Sequence, residues 1–172
     1  MSTIDALLEF PPLLQLVAGQ TPESLWQTRG PDGSFALVEQ ACHLADLEHE
    51  GFCYRIEQLL TETDPLLPDF PGAAIARLRH YIDRPLPHAL TRFRTTREAN
   101  VRRLRDVTGD QWSRRGYQEG LGELTLARLP QLMLLHDISH ANELRALLPL
   151  LGVTVPEALV AFAARDPLAR SA

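Results

Sequence analysis

The sequence predicts an all-α fold, a four-helix bundle with a long crossover between its second and third main helices. Three observations point there. Apolar residues recur at three- and four-residue spacing along four long segments. Proline and glycine gather between those segments and mark their ends. A stretch over 61–72, carrying Pro65, Pro68 and Pro71, separates the second segment from the third.

The first segment, Asp5–Ala18, ends near Gly19, with Pro11 and Pro12 bending or delaying it. Thr21-Pro22-Glu23-Ser24 reads as a cap with proline and an acid in the first turn, opening a short helix over 22–28. Arg29-Gly30-Pro31-Asp32-Gly33 is a break. From Ser34 to about Leu60 the stripe Phe35, Val38, Cys42, Ala45, Phe52, Ile56, Leu59 defines one long helix. Past the linker, Ala73–Ile82 is a short helical piece. Pro85 and Pro87 introduce a helix over about 87–107, with Leu86, Leu90, Phe93, Val101 and Leu104 inward. Residues 109–122 form a loop containing Trp112. Thr125 caps the last long helix, which runs to about Leu148, and Pro130 marks its true start or kinks it. Its inner face is Leu129, Met133, His136, His140, Leu144 and Leu147. A short helix follows Pro156 before a loose end. Residues 1–150 thus make one bundle domain and 151–172 a C-terminal extension.

The 172 residues, 45% hydrophobic and 23% charged, suffice for one domain with its own core. No apolar run approaches the ~20 residues of a membrane span. The start, Met1-Ser2-Thr3-Ile4-Asp5, lacks the basic region of a signal peptide. A cytoplasmic protein with no membrane partner is expected. Cys42 and Cys53 lie in one helix, about 16 Å apart at 1.5 Å per residue, so they are free, buried thiols and not a disulfide. All seventeen basic residues are arginine. That excludes a lysine Schiff base and a Walker-type phosphate loop. A net charge of −5 argues against a nucleic-acid partner. The arginines of 92–105 instead read as a solvated face paired with acids on neighbouring helices.

The chemistry concentrates in His136-Asp137-Ile138-Ser139-His140. Histidines at i and i+4 share a helix face, with Cβ atoms about 5–6 Å apart. Both occupy inward positions, and burying two imidazoles without a shared purpose costs desolvation twice. They can converge on one metal ion, but a third ligand must come from elsewhere. His43 sits on a flank with Glu39, Asp46 and Glu50, where Asp46 is a candidate to orient a ligating imidazole or to serve as a fourth ligand. His49 falls nearer the apolar stripe. Periodicity leaves the two histidines as rivals. His80 and His88, beside loops and prolines, look like surface residues. Arg97 interrupts an inward row and needs a carboxylate, perforce a structural partner on another helix or a substrate anion. Asp137 stands where the HExxH protease motif has glutamate, one methylene short, and no ligand follows at the right spacing. The protease is rejected.

Taken in order, Phe35, His43-Leu44-Ala45-Asp46, Arg55, the proline-rich crossover, Phe93, Arg97, Trp112, Arg115-Gly116, Gly122, Thr125-Leu126, His136-Asp137 and His140 resemble the DinB/YfiT-like superfamily over about residues 20–148. The resemblance implies a four-helix bundle with a long crossover and a metal held by His43, His136 and His140. It decides between His43 and His49 where periodicity does not. It also implies a metal-dependent thiol S-transferase, a related isomerase or a hydrolase, and a homodimer. The expectation is therefore a divalent ion (Zn, Ni or Fe) on three imidazoles with an open position for a water or a low-molecular-weight thiol. Asp137 would orient imidazole N–H groups and Arg97 would hold a substrate carboxylate. The alternative is a non-catalytic, dimeric, stress-associated binding or scaffold protein. Tyr117-Gln118-Glu119 departs from the loop histidine of many relatives.

Overall fold

Pro11 and Pro12 stand in the first turn of α1 (Phe10–Gln20), where a missing N–H leaves no intrahelical bond unmade. They delay the helix instead of bending it, and a separate turn, Thr3–Ala6, precedes it under a Ser2 cap. The computed structural model describes residues 2–165; the loose end expected beyond them lies outside the described residues. Over 22–28 only a 3₁₀ turn forms, Glu23–Leu25.

The second rod, α2, begins at Leu37 and not at Ser34, because the Ser34 N–H is taken by the Asp32 carboxylate at 3.0 Å in a turn. The Glu39 carboxylate reaches back to the Ala36 N–H at 3.0 Å and closes the helix start. The rod runs through Leu37–Asp46 as α-helix, Leu47–Cys53 as π-helix and Tyr54–Thr61 as α-helix again. A π turn spends about one residue more than an α turn, so the buried stripe rotates at this segment. Glu48 turns inward while His49 and Glu50 turn out to solvent.

The crossover holds α3 (Gly72–Leu78) and a 3₁₀ turn, Tyr81–Asp83. It leads to α4 (Leu86–Arg105). The loop expected over 109–122 is a correction: a three-stranded sheet lies there. β1 (Leu66–Leu67) pairs in parallel with β2 (Arg115–Gln118), which pairs antiparallel with β3 (Gly122–Thr125). Leu124 and Leu126 are buried on alternate positions, a period of two over a segment too short to be seen against the helical background. Gly120, at φ +77, makes the turn between the strands. Thr125 therefore ends a strand and caps nothing. The last rod, α5 (Leu129–Leu150), starts with Pro130 in its first turn.

The core lies between α1, α2, α4 and α5, with Phe10 edge-on to Phe93 at 6.2 Å. The terminal helix α6 (Glu157–Ala163) packs onto it by stacking Phe162 on Phe10, centroids 5.2 Å apart. Such a pair is worth about 0.5–1.5 kcal/mol beyond its burial. Cys42 is buried and Cys53 only partly so, and both are free. No described helix is long and apolar enough to cross a membrane.

Three rods are joined by one ionic group. Arg97 on α4 is 0% exposed, donates to Asp137 on α5 at 2.5 and 3.0 Å and to the Leu7 carbonyl at 3.0 Å, and forms an ion pair with Glu48 on α2 at 2.8 Å. Asn100 adds a bond to the Glu48 carboxylate at 2.8 Å. Elsewhere in the arginine segment, Arg92 meets Asp46 at 2.8 Å and Arg105 meets Asp5 at 2.6 Å, whereas Arg94 and Arg102 form no ion pair among the described residues. Removing one partner from a buried ionic group strands the others without compensation. Arg97→Ala is expected to cost about 3–5 kcal/mol, read as a lower urea midpoint in equilibrium unfolding.

Candidate metal centre

His43 comes from the α-helical first part of α2, His136 and His140 from successive turns of α5. Their Nε2 atoms converge. His43 Nε2 lies 3.2 Å from His136 Nε2, which lies 3.2 Å from His140 Nε2. Two nitrogens each about 2.0–2.1 Å from one tetrahedral ion stand about 3.3 Å apart. The ring nitrogen of His136 has one lone pair or one proton, so it can satisfy only one of two neighbouring nitrogens. Three lone pairs aimed at a common point fit a cation.

The protonation pattern agrees. Nδ1 of His140 meets the Gln40 side-chain oxygen at 2.7 Å and lies 3.4 Å from a Glu143 carboxylate oxygen. Acceptors there place the proton on Nδ1 and leave Nε2 its lone pair. Burial, with the neighbouring His140 adding to it, pushes His43 down to about 4. Burial also holds His136 well below the usual histidine range, with His140 and His43 reinforcing it. Neutral imidazole is the form that ligates a metal. The walls are aromatic: Phe35 and Phe70 stand 6.0 and 5.8 Å from the His43 ring, and Phe52 stands 6.1 Å from that of His136.

The DinB superfamily profile matches residues 8–144. The chain belongs to the DinB superfamily. Its fold is that of YfiT from Bacillus subtilis, a probable metal-dependent hydrolase with an unusual four-helix bundle topology, at a TM-score of 0.80 and 22% identity, over 88% of this chain and 87% of that one. No curated protein matches it in sequence.

Within this DinB-superfamily bundle, the structure brings together His43, His136 and His140 and leaves the other sequence candidates outside. His49 is exposed, because the π-helical segment rotates it away from the stripe it was expected to join. His80 and His88 are exposed as expected. The flank of His43 is not a solvated face, since Glu39 and Asp46 are both buried. Asp46 is nonetheless no ligand. Its carboxylate takes hydrogen bonds from Tyr81 and Arg79, both at 2.6 Å, and from Arg92 at 2.8 Å. That cluster borders a separate cavity of about 340 Å³. Arg97 and Asp137 are likewise corrected as catalytic candidates. Both Asp137 oxygens face Arg97, and both terminal nitrogens of Arg97 are occupied. Both residues are 0% exposed, and Asp137 meets no imidazole N–H among the described residues. Burial pushes the Asp137 carboxyl up despite the guanidinium against it.

Two residues at the centre had no sequence signal of their own. Gln40 lies three residues before His43 within a stretch buried on every side, where a polar residue is easily taken for a solvated position. Gly72, the first residue of α3, lies flat on the His43 ring: a methyl group there would stand 2.6 Å from Nδ1 and closer still to Cε1. Only the absence of a Cβ lets the crossover cover the site. Gln40→Ala is expected to weaken metal affinity about 10–100-fold, the usual cost of losing an outer partner of a ligating histidine. Gly72→Ala should also weaken it by displacing His43, with little change in melting temperature, whereas His49→Ala should change neither. Competition titrations against a chromophoric chelator measure all three.

Proposed function

We propose that the protein is a metal-dependent enzyme of hydrolase or thiol S-transferase type, with a divalent ion, zinc, nickel or iron, on His43, His136 and His140. One observation carries this reading: three imidazoles from two rods converge, with Nε2 of His136 3.2 Å from Nε2 of both His43 and His140. Three protein ligands leave a position open, the arrangement of catalytic and not of structural sites. A bound ion supplies a Lewis acid that polarises substrate and lowers the pKa of a water or small thiol.

The chain's own residues do the rest. Gln40 fixes the tautomer of His140. The triad of Glu48, Arg97 and Asp137 holds the two ligand-bearing rods at a set height. Phe35, Phe52 and Phe70 exclude bulk water from around the imidazoles, which strengthens every electrostatic contact at the centre. The description of YfiT as a metal-dependent hydrolase supports the same class.

Protein purified without a histidine tag is expected to carry about one divalent ion per three-histidine site by elemental analysis, and His136→Ala to lose it. Metal content unchanged by that substitution would defeat the proposal. With ester and thioether substrates, turnover that requires an added small thiol identifies a transferase; turnover in its absence identifies a hydrolase.

A further inference from the structure

Arg55 is the one buried guanidinium that the described contacts leave without a carboxylate. Its residue is 5% exposed. Nη2 donates to the Pro68 carbonyl at 3.1 Å, while Nε is fully buried with no partner among the described residues. Among those residues no acid lies within ion-pair distance of it. Arg97 offers the contrast inside the same molecule: its Nε is likewise buried without a partner, yet its terminal nitrogens are matched by two carboxylates. Buried charges are paired or they are costly; the Asp69 carboxylate acts on Arg55 from beyond ion-pair distance and offsets the burial only in part. Despite the burial penalty, Asp137 and Glu48 push the pKa of Arg97 up, whereas burial pulls that of Arg55 down.

Its position gives the missing charge an address. The Arg55 guanidinium lies 5.7 Å from the centre of the Phe52 ring, and that ring stands edge-on to His136 at 6.1 Å. Arg55 is thus one aromatic ring removed from the convergent nitrogens, and near enough for its charge to act on His136. The crossover roofs both: Pro68 accepts from Arg55, and Phe70 and Gly72 lie on His43. A cation at the three histidines adds to the positive charge here, and makes an anion beside Arg55 more favourable still.

We propose that Arg55 anchors the substrate of the three-histidine site, and that this substrate carries a carboxylate a short spacer away from the atom that meets the metal. The proposal rests on the metal-dependent reading above. A planar carboxylate suits a guanidinium that still has its Nε–H to give, since two parallel hydrogen bonds then form. A structural arginine would be stabilising where it stands. A binding arginine without its ligand is a strained feature, held at some expense of stability.

The test uses the cobalt-substituted protein, whose visible spectrum changes when a thiolate binds the metal. Mercaptoacetate and 3-mercaptopropionate are titrated against 2-mercaptoethanol, which lacks the carboxylate. The wild type is expected to prefer at least one of the acids about 10-fold or more. Arg55→Gln should lose that preference with cobalt affinity unchanged, and Arg55→Lys should keep part of it. Without ligand, Arg55→Met should melt a few degrees above the wild type. Equal binding of acid and alcohol by the wild type overturns the proposal, as does a preference that survives Arg55→Gln. So does an Arg55→Met protein that melts well below the wild type. Should Arg55→Gln fail to fold, the wild-type preference and Arg55→Lys still decide. Failure of the wild type to bind cobalt defeats the metal reading itself; cobalt bound without carboxylate preference defeats only the role of Arg55.

Discussion

The relative height of α2 and α5 decides whether three imidazoles can meet, and a buried arginine sets that height. Asp137 follows His136 directly in the chain, and Glu48 lies five residues beyond His43. Arg97 grips both from α4. A one-turn slip of either rod, about 5.4 Å, would break the ionic group and part the histidines together. Two carboxylates share the one guanidinium beside the ligand-bearing rods. A hydrophobic substitute of equal volume could match the stability of such a group, but it would not fix a register.

The bundle was legible because its rods are long and their apolar stripes regular. Boundaries moved where local hydrogen bonding competed, as at Ser34, whose N–H is claimed by Asp32. The sheet escaped because Arg115–Gln118 and Gly122–Thr125 offer four residues each, too few for a period of two to declare itself beside rods of twenty. Of the centre, the paired histidines of α5 could be named from i and i+4 spacing alone. His43 could not, since helical arithmetic put it on a flank with Glu39 and Asp46 that reads as solvated, whereas every residue of Leu37–Asp46 is buried. The family resemblance pointed to it instead. Arg97 was conspicuous for the right reason, a charge on an inward face; Asp137 was singled out only for its place between the paired histidines. Each proved to be the other's answer.

The two faces of α2 divide the polar work. On one side His43 and Gln40 meet α5. On the other Asp46 gathers Tyr81, Arg79 and Arg92 and so ties the end of the crossover and the start of α4 to the rod. The crossover is held down twice, at Asp46 and beneath Pro68, and between those points it roofs the histidines. That is why a segment without a long helix of its own is nevertheless closely packed.

Ring nitrogens 3.2 Å apart belong to residues separated by 93 positions in the chain. No fragment with only one of the two rods contains the centre, and an unfolded chain presents scattered imidazoles instead. Loop-closure entropy of that size is met by the bundle before any ligand arrives. Whatever bridges those two rings acts as a clasp on the completed topology, rewarding the last stage of assembly and none of the earlier ones.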